Sequence, residues 1–229
     1  MLTDSRPQLV EILSRQPLFR GLLEEELHPI ALGSRELRVQ KNEILFQKGD
    51  EAEGMHVLVM GQIKLSLPSA QGSEKVVHMF ESASTFGEAV IFLDKPYPVT
   101  AQATQDSLLV LISKRSLLDA LESSPMLCRK MLASLSMRLH ELLDDMETCT
   151  LRTSTQRVIC FLTNLAPPGQ PAQYEIVLPA SKQTIASQLN LAPETFSRVL
   201  GHLAGAGLIQ VKGRSIKVLN AGKLREFTN

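Results

Sequence analysis

Residues 181–207 read SKQTIASQLNLAPETFSRVLGHLAGAG. Ser181 is a good side-chain acceptor for the start of a helix. Ile185, Ala186 and Leu189 give that helix a buried face. Asn190-Leu191-Ala192 makes a short turn, and Pro193 suits the first position of a second helix. There Phe196, Val199, Leu200 and Leu203 share one apolar face. Glu194, Thr195, Ser197 and Arg198 then crowd the N-terminal end, with Glu194, Ser197 and Arg198 on its outer side. Two helices joined this way, with polar side chains at the start of the second, have the shape that enters a major groove. The next stretch, GLIQVKGRSIKVLN, reads as a hairpin turning at Lys212-Gly213-Arg214. As a wing it would carry Lys212, Arg214 and Lys217 towards phosphates, with Lys182 opening the first helix nearby.

The side-chain chemistry fits base reading. Arg198 can donate two hydrogen bonds to guanine O6 and N7. Glu194 can accept from a cytosine amine, and Ser197 can meet a base or a thymine methyl. A carboxylate on a DNA-facing helix would repel phosphate, so its presence favours a specific base contact. A plain structural helix pair is the competing reading. The charge distribution weighs against it. Residues 1–150 hold 15 Lys/Arg and 21 Asp/Glu, net −6, and residues 151–229 hold 9 and 3, net +6. A basic C-terminal segment on an acidic N-terminal one points to a polyanion partner, double-stranded DNA, for one end.

The 229 residues are 44% hydrophobic and 21% charged, enough for a buried core. This composition excludes a disordered or disulfide-stapled chain. No apolar run approaches the roughly 20 residues of a membrane span. The start, MLTDSRPQLVEI, is unlike a signal peptide. Cys128, Cys149 and Cys160 form no CxxC pair. A reducing, cytoplasmic setting without membrane contact is expected.

Upstream, the first 30 or so residues read as helix interrupted at Pro17, Gly21 and Pro29. Residues 36–113 change to short apolar segments: EILFQKGD, MHVLVMGQIKLSL, KVVHMF, AVIFL, VTAQATQ and SLLVLI. Many short strands at this spacing predict an antiparallel sandwich or roll. SKRSLLDALESSP returns to helix, and a long uninterrupted helix follows. In it Cys128, Leu132, Leu135, Leu139, Leu142, Met146 and Cys149 are spaced 4-3-4-3-4-3, a heptad seam. Arg129, Lys130, Arg138, Glu141, Asp144 and Asp145 take the opposite face. The seam predicts a homodimer closed by Leu132, Leu135, Leu139, Leu142 and Met146; a helix packed on its own domain is the alternative. The fold class is α+β, in three parts: a sensor domain with N-terminal helices over 1–124, a dimerisation helix over 125–150, and a winged helix-turn-helix over 151–229.

From about Leu18 to Leu219 this order resembles the CRP/FNR transcription regulators. PETFSR, residues 193–198, is similar to the recognition helix of the FNR branch, Glu-x-x-Ser-Arg. The resemblance implies a cyclic-nucleotide-binding-like β-roll, readout of a TTGAT palindrome by Glu194, Ser197 and Arg198, and RNA polymerase as a partner. FGE at 86–88 resembles the start of the family's phosphate-binding cassette. Where its nucleotide binders place Arg and a small residue, this chain has Tyr97-Pro98. A cyclic phosphate would lack its cation there, which disfavours cAMP. Ordinary iron–sulfur clusters need four thiolates, and three late cysteines do not supply them.

FGEAVIFLDKPY, LSMRLHELLDDMET and PETFSRVL are most similar to the DNR type, the dissimilatory nitrate respiration regulators. That resemblance implies haem, nitric oxide sensing and a role in denitrification. The implied effector pocket, between roll and long helix, comprises Met79, Phe86, Gly87, Glu88, Tyr97, Leu135 and Leu139. His28, His56, His78 and His140 are the sensor-half histidines, with His78 and His140 the preferred haem ligands; His202 reads as structural or phosphate-facing. An enzyme such as a cupin-like oxygenase needs clustered His and carboxylate ligands, and the roll has no HxH or His-x-Glu pair. A regulator with another effector, or none, stays open.

Overall fold

The computed structural model describes residues 6–68, 74–169 and 171–227, without the side chains of residues 6, 7 and 144–151. It is a mixed α+β chain whose contacts divide it into two units, Met1–Leu139 and His140–Asn229.

In the first unit α1 (Arg6–Ser14) and α2 (Glu24–Leu32) precede eight strands among the described residues. β1 (Ser34–Val39), β8 (Ser107–Ser113), β3 (Gly54–Met60) and β6 (Ser84–Phe86) form one antiparallel sheet, in that spatial order. β2 (Ile44–Phe46), β7 (Thr100–Ala103), β4 (Gln62–Pro68) and β5 (Glu74–Glu81) form the other. β8 is buried on both faces, which is why SLLVLI reads as a continuous apolar run. Leu109 faces a core with Leu58, Ile63, Phe80, Phe86 and Ala101. Val110 and Ile112 face a second core with Leu13, Phe19, Ile30, Leu117 and Leu127, under the helices. Gly61 turns β3 into β4 at φ 98°, and a Cβ there would meet Asp106 O at 2.6 Å. Only glycine fits that turn.

Two expectations need correction here. AVIFL is not a strand: it lies in α3 (Glu88–Leu93), which starts from Gly87 at φ 90°. A short apolar run fits a buried strand or a helix equally well. Pro29 does not interrupt the helix but sits inside α2. Its missing N–H leaves the carbonyl of Glu25, an exposed residue, to solvent. Pro125 opens the long helix as well as closing α4 (Lys114–Ser123), since its fixed φ suits a first turn.

The long helix is α5 (Pro125–Leu151), which runs from the first unit into the second. Leu127 and Met131 are buried in the helical core, and Leu135 packs against it. Leu132, Leu139 and Leu142 are exposed, the first two at 64% and 60%. The expected seam therefore splits, with Leu135 turned to its own domain. Met137 and Leu143 add exposed apolar surface. Met146 and Cys149, with Asp144 and Asp145, lie where side chains are outside the described residues. No helix among the described residues is long and apolar enough to cross a membrane.

In the second unit α6 (Ser154–Asn164) packs on α8 (Pro193–Gly205), which also packs on α7 (Lys182–Gln188). β10 (Ile209–Lys212), β11 (Ser215–Val218) and β9 (Tyr174–Val177) form an antiparallel sheet in that spatial order. The hairpin turns at Gly213, φ 62°. A final helix, α9 (Ala221–Glu226), was not anticipated; Asn220 caps it by accepting from Lys223 N–H at 2.9 Å.

Candidate nucleic-acid interface and effector site

Ser181 Oγ accepts the Thr184 N–H at 3.1 Å and caps α7. After α7, Asn190 turns the chain with φ 58°, a left-handed conformation that Asn tolerates. Ala192 precedes α8, and Pro193 occupies its first turn. Phe196, Val199, Leu200 and Leu203 are buried. Burial of that face leaves Glu194, Ser197 and Arg198 exposed together at the helix start, with Thr195 half-buried. His202, further along, sets its ring edge-on to Phe227 at 5.5 Å.

Lys212, Arg214 and Lys217 are exposed on the hairpin, and Lys182 is half-buried in the first turn of α7. Arg214 is tethered: its Nε and Nη2 donate to Leu178 O at 3.2 and 2.6 Å. Lys217 lies across from Glu175 in the β11–β9 register.

The second expected site is assembled across the sensor unit. Glu88, at the start of α3, is only 2% exposed. Arg138 of α5 donates from Nη1 to Glu88 Oε1 at 3.0 Å and from Nη2 to Thr85 O at 2.8 Å. Its guanidinium lies 4.7 Å from the Phe80 ring centre. Burial pushes the Glu88 carboxyl above the usual carboxylate range, and Arg138 pulls it partly back. Glu88 Oε2 has no hydrogen-bond partner among the described residues. Arg138, read above as solvent-facing, thus joins α5 to the roll. The spacing Leu127, Met131, Arg138 keeps it on the inward stripe, a signal the heptad reading passed over.

Phe86 and Tyr97 are buried, Met79 is half-buried and Leu139 is exposed. Of them only Tyr97 borders an opening of about 550 Å³, beside Leu37, Val39, Phe46, His56 and Leu111. Tyr97 stacks on Phe46 at 3.6 Å and donates to Gly54 O at 3.3 Å. Burial, aided by Glu53 and Asp50, pushes its phenol up to about 12. Where the family's nucleotide binders carry a cation, this chain has a neutral ring.

His56 had no role beyond candidacy in the sequence. It is 4% exposed and stacks on Phe86 at 5.0 Å. Burial, then Arg35, lowers its pKa to about 3, so it is neutral. Its Nδ1 has no hydrogen-bond partner among the described residues. Gly87 makes room for it, since a Cβ there would stand 3.3 Å from that nitrogen. His78 packs against Phe80 at 4.5 Å, while His28 and His140 are exposed. No three His, Cys, Asp or Glu converge as a metal site among the described residues.

A cyclic nucleotide-binding domain matches residues 36–124, and a Crp-like helix-turn-helix domain matches residues 156–227. The fumarate and nitrate reduction regulatory protein of Vibrio cholerae is 28% identical over 199 residues, covering 84% of this chain and 78% of that protein. The structure of DNR from Pseudomonas aeruginosa is 33% identical, matches over the full length of both chains and has a TM-score of 0.51. FixK2 from Bradyrhizobium japonicum, 24% identical over 84% of this chain and 96% of its own, shares the fold with a TM-score of 0.72. These domains and relatives belong to transcription regulators, not enzymes. With both domains matched in order and a full-length relative at 33% identity, the chain belongs to the CRP/FNR family of DNA-binding transcription regulators.

Proposed function

We propose that this chain is a homodimeric, effector-controlled regulator reading an FNR-type palindrome of TTGAT half-sites through Glu194, Ser197 and Arg198. One observation carries the reading: these three side chains are exposed together at the start of α8, whose opposite face is buried. Ala192 cannot cap α8 with its side chain, so the first N–H groups are available to a phosphate. Thr195, Lys182, Lys212 and Arg214 flank the base readers. Lysines at the rim favour binding without regard to sequence, and Arg198 supplies the guanine contact.

The working division is sensing by 1–124, dimerisation by 125–150 and DNA reading by 151–229. Two chains meet through exposed Leu132, Leu139 and Leu142, with Met146 continuing the spacing. The effector acts where Arg138 ties α5 to Thr85 and Glu88. A ligand that displaces this guanidinium frees α5 from the roll, and one that reinforces it fixes α5. Either changes how the paired recognition helices match adjacent major grooves. The regulator works in the cytoplasm, with RNA polymerase as its partner by family resemblance.

Haem-bound nitric oxide, acting in denitrification, is the effector that the DNR resemblance favours. An iron ligand must be a neutral imidazole with an uncommitted nitrogen. His56 meets both conditions, but it is closed in the core. The fit is therefore incomplete, and the mechanism runs through Glu88 and Arg138. Buried Tyr97 in place of a cation speaks against cAMP.

Fluorescence anisotropy with a TTGAT palindrome and a scrambled duplex tests the readout. Anaerobic haem and nitric oxide titration of the same samples tests the effector. The expected result is preference for the palindrome, a stoichiometric Soret band and higher affinity with nitric oxide. Equal affinity for both duplexes contradicts the readout. Preference without haem uptake discards haem and leaves the readout standing.

A further inference from the structure

One guanidinium connects the end of the long helix to the turn of the helix-turn-helix. Arg157, on α6, donates from Nε to Arg152 O at 3.2 Å. Its Nη1 donates to Leu189 O and Asn190 O, both at 3.3 Å. Arg152 follows the last residue of α5, and Leu189 and Asn190 follow the last residue of α7. All four residues lie in the second unit.

The partners are informative. Carbonyls at a helix C-terminus lack intrahelical donors and attract cations. Leu189 caps α7, and Asn190 carries the left-handed φ that redirects the chain to Pro193. Holding both carbonyls fixes the direction of the turn, and hence the angle at which Glu194, Ser197 and Arg198 are presented. The other end of the fork is equally anchored. Thr153 and Gln156 close a capping box, with Thr153 N–H donating to Gln156 Oε1 at 2.9 Å and Gln156 N–H to Thr153 Oγ1 at 3.3 Å. The joint between α5 and α6 is therefore a defined stop, against which Arg157 is braced.

We propose that Arg157 is a positioning residue: it couples the setting of the α5–α6 joint to the helix-turn-helix turn, and so governs base discrimination without touching a base. This rests on the DNA-reading role proposed above. It names the element through which movement of α5 would reach the recognition helix. A planar fork spans the three carbonyls; an ammonium does not reproduce that geometry.

Arg157→Lys and Arg157→Met distinguish this role from a phosphate contact. Binding to the TTGAT palindrome and to scrambled duplex is measured across salt, beside wild type and Arg198→Ala. Amide hydrogen exchange at Leu191, whose N–H donates to Ala186 O at 2.8 Å, reports the turn without DNA. Both substitutions should lower the ratio of specific to non-specific affinity by about tenfold. The salt dependence should stay unchanged, and exchange at Leu191 should quicken. If Lys restores affinity while Met reduces the salt slope by about one, Arg157 is a phosphate contact and the coupling is overturned. Wild-type ratio and exchange in both variants also overturn it. If wild type itself does not discriminate the palindrome, the DNA reading has failed; faster exchange in the variants would still show the clamp on the turn.

Discussion

In the sensor unit Glu88 and His56 are closed in the core, whereas in the second unit Glu194, Arg198, Lys212 and Lys217 stand in solvent. The same types of ionisable group therefore answer to different conditions. Buried groups change stability with pH, because folding shifts their proton affinity. Exposed basic groups on a DNA-binding face change affinity with salt, because phosphate contact releases counterions. On the proposed reading, the first unit answers to chemistry within the roll and the second to a polyanion.

The largest expected effect breaks the comparison by separating the chains. Leu132→Glu together with Leu139→Glu should give monomers and lower palindrome affinity on the order of 100-fold or more. Sedimentation velocity checks it; an unchanged dimer mass would remove these leucines from the interface.

Arg138→Met comes next. It leaves a buried carboxylate without its cation, which costs about 3–5 kcal/mol at neutral pH. The pH dependence has a definite sign. The Glu88 carboxyl holds its proton more tightly folded than unfolded, so stability falls as pH rises from its ordinary 4.5 through the raised folded value. Without Arg138 the folded value rises further. The loss in the variant should thus shrink as pH falls from 7 to 5, as read by urea unfolding. A loss constant across that range would contradict burial of the charge.

His56 carries the opposite sign. Its folded pKa is about 3 and its ordinary value 6.5, so its stabilising contribution is complete above 6.5 and lost as pH falls towards 3. At about 1.4 kcal/mol per pH unit, the loss reaches about 2 kcal/mol by pH 5. His56→Phe should flatten this part of the acid unfolding curve while keeping the ring stack on Phe86. An identical acid slope in the two proteins would show that His56 titrates normally.

Lys212→Ala has the smallest expected effect. It should weaken all duplexes about equally and reduce the salt slope by about one, with the specificity ratio unchanged. A change in base preference would turn this lysine from a phosphate contact into a reader.

What was legible in the sequence follows from the same contrast. The helix pair lies in one stretch, 181–207, and its apolar spacing, its cap at Ser181 and its proline at 193 agree on one geometry. The sensor site joins Thr85 and Glu88 to Arg138, 50 residues beyond Glu88. Nothing local in the sequence announces that pairing. The heptad spacing of α5 drew Leu135 into the seam and assigned Arg138 to solvent, because one helix carries two stripes. AVIFL reads as a strand because its length suits either structure; it lies in α3, which starts from the left-handed Gly87. Arg157 is hard to read for another reason: the contacts with Arg152, Leu189 and Asn190 are to backbone carbonyls, which leave no side-chain signature.

The most direct test of the account is the affinity of wild type and Arg198→Ala for a TTGAT palindrome and for the same duplex with its guanine replaced. The account predicts that Arg198→Ala loses about 1–3 kcal/mol on the palindrome and no longer distinguishes the two duplexes at that base. If the variant keeps the full wild-type preference, Arg198 does not read that guanine and the proposed docking of α8 in the major groove is wrong.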